Sequence, residues 1–422
     1  MIKIYDGDIK EALLRKEEGT ADVSAAVFKI IESVKKDGDK ALYEFIKRFD
    51  GVLLDSLEVS KQEIEEAYLS VDKELIAALE KAAGNIRSFH EKQRRTGFIS
   101  AENEGVIVGQ RIIPLEKVGV YVPGGTASYP STVLMDTIPA KIAGVGEIIM
   151  TTPPKKDGKV NPVVLAAAKI AGVDKVFKTG GAQAVAALAF GTESIPAVDK
   201  IVGPGNVFVA EAKRQVSGKV GIDMFAGPSE ILIIADKDAD PVHLAADMLS
   251  QAEHDKLASA ILLTDSIELA KEVSVELERQ IELLPRSEIA RASIDNKSSI
   301  IITKDLGDAA ALANEFAPEH LEICTDDPFS MLPLIKNAGS VFLGKNCPEA
   351  LGDYIAGPNH TLPTSGTARF SSPLGVDDFT KRSSYIYYSK EALKNVGKDI
   401  VTMAEAEGLS AHGRSVSVRM GD

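Results

Sequence analysis

Apolar residues recur at spacings of three and four over residues 23–49 and 71–94, with Lys and Glu filling the positions between them. That period predicts two long amphipathic helices in the first hundred residues. The pattern then shifts to short β-branched runs, 106–114 and 118–123, split by Leu115-Glu116-Lys117 and running into Gly124-Gly125. These read as strands feeding a glycine turn. Between Tyr121 and about residue 235, apolar runs at 147–151, 175–178, 200–202 and 231–235 alternate with Ala-rich helical stretches such as 163–171 and 182–190. The alternation resumes with strands at 259–263, 298–302, 321–324 and 340–343, and helices at 241–254, 267–284 and 306–316. Short apolar strands between helices imply βαβ units and parallel sheets covered on both faces. The expected fold class is therefore α/β, with two doubly wound, Rossmann-like parallel sheets of similar size behind the N-terminal helices. The tail differs: a Gly/Pro/Ser-rich stretch at 357–375 precedes a strand-like 384–388, a helix at 390–407 and a last helix after Gly408. So short a segment buries little apolar area alone, so it is expected to dock on the rest of the chain or on a second subunit.

Composition narrows the function. The chain has 422 residues, 45% hydrophobic and 26% charged, ordinary for a globular protein of two or three domains. Its 48 basic against 62 acidic residues give a net charge of −14, which argues against gripping nucleic acid phosphates or an anionic membrane. Cys324 and Cys347 are too few for a disulfide framework and lack the spacing of a structural zinc site, which fits a reducing cytoplasm. The N-terminus does not read as a secretory signal, and no run of apolar residues is long enough for a membrane span.

Candidate chemistry gathers at turns and helix ends. The usual dinucleotide fingerprint is absent, since Gly144-Val145-Gly146 and Gly203-Pro204-Gly205 lack the third glycine. There remain three glycine turns, Pro123-Gly124-Gly125-Thr126, Thr179-Gly180-Gly181-Ala182-Gln183 and Gly203-Pro204-Gly205-Asn206. Each offers free backbone amides at the mouth of a helix, where a phosphate can approach, though such turns also serve plain packing. Of six histidines, His90 and His243 sit in ordinary polar helical contexts. Gln251 and His254, three apart at a helix end, share one face and could converge on a divalent metal or simply be a wet face. Glu319 and His320 stand just ahead of an apolar strand, and alternation of side chains in extended backbone would aim them at different steps. Asp353, His360, Glu407 and His412 add carboxylates and imidazoles further on. Spacing alone leaves open both an assembled His/Asp/Gln metal site and scattered surface groups.

Five segments go further: Gly119-Val-Tyr-Val-Pro-Gly-Gly-Thr-Ala-Ser-Tyr-Pro-Ser131, Asp223-Met-Phe-Ala-Gly-Pro-Ser-Glu230, Ser250-Gln-Ala-Glu-His254, Phe316-Ala-Pro-Glu-His320 and Gly357-Pro-Asn-His-Thr-Leu-Pro363. Together, and over nearly the whole chain, they resemble the histidinol dehydrogenase family. The resemblance implies oxidation of L-histidinol to the aldehyde and then to L-histidine, with two NAD⁺ reduced at one site. It places zinc ligands, for one Zn²⁺ per site, on Gln251, His254, Asp353 and His412, the last from the partner in a homodimer. The general base falls on His320 and the residue activating water on Glu319; substrate contacts fall on Ser229, His360 and Glu407 besides His320 and the metal ligands. NAD contacts fall on Tyr121, Gln183 and Asn206. The implied domains are 1–118 with 230–375 as a large α/β domain, 119–229 as an inserted NAD-binding domain, and 376–422 as a small dimerisation segment. Two other readings stand beside this one: an aldehyde dehydrogenase with Cys324 or Cys347 as nucleophile, and a non-catalytic binding protein with two lobes around a cleft.

Overall fold

The computed structural model describes residues 1–6, 23–124, 129–225 and 227–421. Part of the first glycine turn, Gly125 and Thr126, and Ala226 of the 223–230 segment lie outside the described residues. The chain opens with β1 (Lys3–Asp6) and three helices, α1 (Ser24–Phe49), α2 (Lys61–Ser70) and α3 (Lys73–His90). Helix α1 is broken at Gly38, whose φ of 53° a side chain would strain. Helix α2 starts on a reciprocal capping box between Ser60 and Glu63, and Asp72 caps α3; caps of this kind are worth about 1 kcal/mol each. Two strands follow, β2 (Phe98–Ser100) and β3 (Val106–Pro114).

The first parallel sheet is built from β4 (Lys117–Tyr121), α4 (Pro130–Ala143), β5 (Glu147–Thr152), α5 (Pro162–Ala171), β6 (Lys175–Lys178), α6 (Gly181–Phe190), β7 (Lys200–Val202), α7 (Val207–Val216) and β8 (Gly221–Ile222). Its strand order is β6-β5-β4-β7-β8. The second contains β9 (Glu230–Ala235), α8 (Pro241–Ala252), β10 (Ser259–Thr264), α9 (Ile267–Ile281), α10 (Ser287–Asn296), β11 (Ser299–Ile302), α11 (Leu306–Phe316), β12 (His320–Cys324), α12 (Pro328–Met331), β13 (Ser340–Leu343) and α13 (Glu349–Tyr354). Its order is β1-β11-β10-β9-β12-β13, again parallel throughout. Apart from β1, both sheets follow one plan: the first strand lies in the middle, two follow on one side and two on the other. Each sheet thus has a switch point, between β4 and β7 and between β9 and β12, where a crevice opens.

The helices ahead of residue 91 share their cores with the five-stranded sheet. Val27, Ile30, Leu42 and Ile46 of α1 pack with Ile149, Phe177, Val185 and Ile201, and Leu79 and Ile86 of α3 pack with Val133, Leu134 and Val164. Of residues 1–118, which the sequence reading groups with the other sheet, β1 joins that sheet, and Asn85 of α3 donates to the Ile355 carbonyl at 2.7 Å in the segment that follows it.

At the C-terminus, β14 (Thr380–Tyr388) pairs antiparallel with the whole of β3, and β2 takes the other side of β3. The strand is longer than the expected 384–388 because Thr380-Lys381-Arg382-Ser383 carry no apolar signal. Helices α14 (Lys390–Ala406) and α15 (Ser410–Met420) pack on each other and complete the chain. Elements the periodicity did not single out, such as β1, β8 and α13, are too short to show a period. Among the described residues no helix is long and apolar enough to cross a membrane.

Candidate active site

The two sheets meet through opposite ends of their strands. The five-stranded sheet presents its carboxyl ends, where Tyr121 closes β4, Gln183 sits in the first turn of α6 and Asn206 caps α7 through Phe208 N–H and Val209 N–H. The Tyr121 hydroxyl, buried, accepts the Gly181 N–H at 3.0 Å, so it pins one glycine turn against the strand end. The six-stranded sheet instead presents amino ends: Glu230 begins β9 and His320 begins β12, on the two sides of its switch point.

His320 is the centre of this second edge. Its Nδ1 lies 3.0 Å from the Glu230 carbonyl oxygen and 3.1 Å from the Gln251 amide. A carbonyl only accepts, so with Nδ1 bonded to Glu230 it carries the ring hydrogen and Nε2 keeps its lone pair, and the Gln251 amide, placed with its nitrogen on Nδ1, makes no second donation there. That nitrogen is buried without a hydrogen-bond partner and faces Glu349 Oε1 at 3.7 Å and Asp353 Oδ1 at 3.9 Å. Glu319, buried beside it, accepts the Glu230 N–H at 2.9 Å, with Oε2 3.8 Å from His320 Nδ1. The two neighbours therefore do not point apart as extended alternation suggests. Both grip one residue of the adjacent strand, His320 at the Glu230 carbonyl and Glu319 at the Glu230 N–H, with Glu319 just ahead of the regular strand.

Glu349 and Asp353 are four apart on α13 and so share a face. The helix is held to β12 by buried Glu322, which accepts the Glu349 N–H at 2.7 Å, and to α8 by Ser250, whose hydroxyl reaches Glu349 Oε2 at 3.3 Å. His360 enters from the loop after α13, with Nδ1 3.1 Å from the Asp353 carbonyl oxygen and Nε2 3.3 Å from Thr132 Oγ1. His320, Asp353, Asn359 and His360 line a cavity of about 140 Å³ together with Phe342 and Cys347. Ser229 directly precedes Glu230 and accepts the Ser259 N–H through its carbonyl. Gln251 is buried against His320, whereas His254, three residues on, lies exposed at the rim. Glu407, which follows α14 at its C-cap, and His412, in α15, are both exposed, and no hydrogen bond or ion pair ties either to the other site residues.

Burial sets the protonation states. It holds His320 below the ordinary 6.5, with the Glu349 carboxylate pulling the other way, and brings His360 down to about 4. It pushes Glu349 up to about 7, helped by neighbouring Asp353, raises Asp353 to about 6, and drives Glu319 well above the usual carboxylate range. A buried imidazole with a free lone pair beside carboxyl groups that hold protons near neutrality is a site for moving protons. One consequence is measurable: kcat/KM is expected to stay level through pH 7 and to fall on acidification with an apparent pKa below 6.5, as the depressed imidazole gains its proton. An acid limb centred at pH 7 or above would contradict the assignment of His320 as base. Cys324 fits a nucleophile poorly, since burial foremost, then the charge of Glu322, pushes its thiol far up.

Glu349 and Glu230 were not singled out in the sequence. The i, i+4 acid pair Glu349/Asp353 is a signal that could have found the first; Glu230 acts through its backbone, which no residue type advertises.

A Rossmann-like sheet facing a buried imidazole and a cluster of carboxyl groups defines a two-sheet α/β enzyme with acid–base chemistry. A family model described as histidinol dehydrogenase matches residues 13–420. The chain is 54% identical over 428 residues to the histidinol dehydrogenase of Syntrophotalea carbinolica, covering 100% of this chain and 99% of that one. It is 55% identical over 423 residues to that of Bacillus cereus, covering 99% and 98%. The crystal structure of histidinol dehydrogenase from Elizabethkingia anophelis superposes with a TM-score of 0.95 at 40% identity, over 100% of this chain and 98% of the other. The chain belongs to the histidinol dehydrogenase family.

Proposed function

We propose that the chain oxidises L-histidinol through L-histidinal to L-histidine, the closing reactions of histidine biosynthesis, in the cytoplasm and with NAD⁺ as acceptor. The observation that carries the reading is His320 Nε2, buried without a hydrogen-bond partner beside Glu349 and Asp353 in a cavity that His360 links to α4 of the five-stranded sheet. In the first half-reaction Nε2 takes the hydroxyl proton as the carbinol C–H leaves as hydride to one NAD⁺. In the second, the ionised form of Glu319, made strongly basic by burial, takes a proton from the water that adds to the aldehyde, and hydride leaves the resulting diol to a second NAD⁺. Alcohol, water and two NAD⁺ thus give carboxylate, two NADH and three protons. Tyr121, Gln183 and Asn206 contact the dinucleotide at the carboxyl edge of the five-stranded sheet, within an inserted domain of residues 119–229. Ser229, His360 and Glu407 contact the substrate, with Glu407 offering charge to its ammonium group.

The donor set suits a divalent ion. Asp353 and Glu349 bring carboxylate oxygens within 4.8 Å of each other, and Glu349 Oε1 is buried with no hydrogen-bond partner, while His320 Nε2 in the same cluster is kept for the proton. Gln251, His254 and Asp353 would hold Zn²⁺ together with His412 of the partner subunit. Such an ion supplies a fixed anchor for the imidazole and amine of the substrate, and with it orientation of the reacting carbon.

Exposure of His254, Glu407 and His412 in a single chain favours a homodimer in which the terminal helices reach the neighbour's rim. So do Ile386 and Tyr387 on β14, 74% and 56% exposed, with exposed Phe98 and Ile99 on β2 across β3 from them. Co-expression of His254→Asn and His412→Asn variants tests this directly. Each alone is expected to be inactive, whereas random pairing leaves half the dimers mixed, each with one intact site, so about a quarter of wild-type activity returns. No recovery in mixed dimers would contradict the shared site.

A further inference from the structure

Three consecutive residues of the substrate loop are held by one helix of the other sheet. The Asn359 amide donates to the Met135 carbonyl at 2.6 Å, His360 Nε2 lies 3.3 Å from Thr132 Oγ1, and the Thr361 hydroxyl donates to Asp136 Oδ1 at 2.7 Å. All three partners lie in the first half of α4, which rises directly after the glycine turn at the end of β4. His360 Nδ1 meets the Asp353 carbonyl and so carries the ring hydrogen, which leaves Nε2 to accept from Thr132. The ring is fixed at both nitrogens, provided the loop stays on α4.

Asp136 is the member of this set that an ordinary core would not contain. It is completely buried, and only one of its oxygens has a hydrogen-bond partner. The other oxygen faces the Gly203 turn: a Cβ added at Gly203, whose φ is 109°, would strike the Tyr121 carbonyl and come within 3.1 Å of Asp136 Oδ2. That turn is itself fixed, its N–H given to Asp223 at 2.8 Å and its carbonyl accepting from the buried Lys213 ammonium at 2.6 Å. One carboxyl group therefore touches the crevice between β4 and β7, the switch point of the dinucleotide sheet, and the hydroxyl next to His360. An apolar side chain would serve packing at lower desolvation cost.

We propose that Asp136, acting through Thr361, is a positioning residue that locks the His360 loop onto the helix of the cofactor turn and so sets the substrate against the nicotinamide. The proposal rests on the reading of His360 as a substrate contact. Thr361→Val removes the hydroxyl at nearly constant shape, Thr361→Ala removes it without adding volume, and Thr361→Ser keeps it. Loss of this hydrogen bond is expected to lower kcat/KM for L-histidinol about tenfold in both the Val and Ala variants, with the KM for NAD within about twofold of wild type and the Ser variant near wild type. In a His360→Ala background the Thr361→Val change is expected to add less than about a twofold further loss, because the hydroxyl acts through that ring. An equal loss in both backgrounds, or lowered thermal stability with unchanged kinetic constants, would overturn the proposal and leave the functional reading standing. A wild-type protein that forms no NADH from histidinol would overturn the functional reading itself, and the proposal with it.

Discussion

His320→Asn is expected to lower kcat for histidinol oxidation by about 10²–10⁴-fold while the KM for NAD stays near that of the parent. The side chain is held by the Glu230 carbonyl through Nδ1, and Asn can reproduce that donor from its own amide while lacking any nitrogen that takes a proton at the position of Nε2. The loss should therefore fall on the chemical step. Because proton removal accompanies hydride transfer, raising the pH is expected to recover part of the rate in the variant, as hydroxide or solvent replaces the missing base. A variant that retains rates within about threefold of the parent would move the base elsewhere, with Glu349 the first candidate on distance.

Glu319→Gln is expected to separate the two oxidations. Its carboxylate accepts the Glu230 N–H, a bond the Gln side-chain oxygen can keep, so the local geometry survives while the ability to take a proton from water is lost. Oxidation of supplied L-histidinal should fall by about 10²-fold or more, and histidinol should then yield closer to one NADH, with trappable aldehyde accumulating. An equal fall in both half-reactions would instead assign Glu319 to holding His320 in place, a role its 3.8 Å approach to Nδ1 also permits.

Much of the fold is legible along the chain because fully buried parallel strands are short unbroken apolar runs, as at Glu230–Ala235 and Ser259–Thr264, where every residue or nearly every one is buried. What periodicity misses are elements whose stability comes from elsewhere. β8 is two residues on a sheet edge, and α13 is a six-residue helix fastened by Glu322 and Ser250. The site was legible as residue types, less so as geometry. Gln251 and His254 look equivalent at i, i+3, yet one is buried on His320 and the other is exposed. Glu319 and His320 look opposed, yet both reach Glu230, one at its N–H and the other at its carbonyl. Asp136 is invisible in sequence, because a lone acid in an apolar helix gains its meaning only from Thr361, 225 positions away.

The central claim is a four-electron oxidation at one metal-dependent site, and the most direct measurement is the NADH formed from limiting L-histidinol with excess NAD⁺. Two NADH per histidinol, abolished by chelation and restored by Zn²⁺, is the expected result. No NADH from the metal-replete protein, or a yield that ignores chelation, would contradict the account.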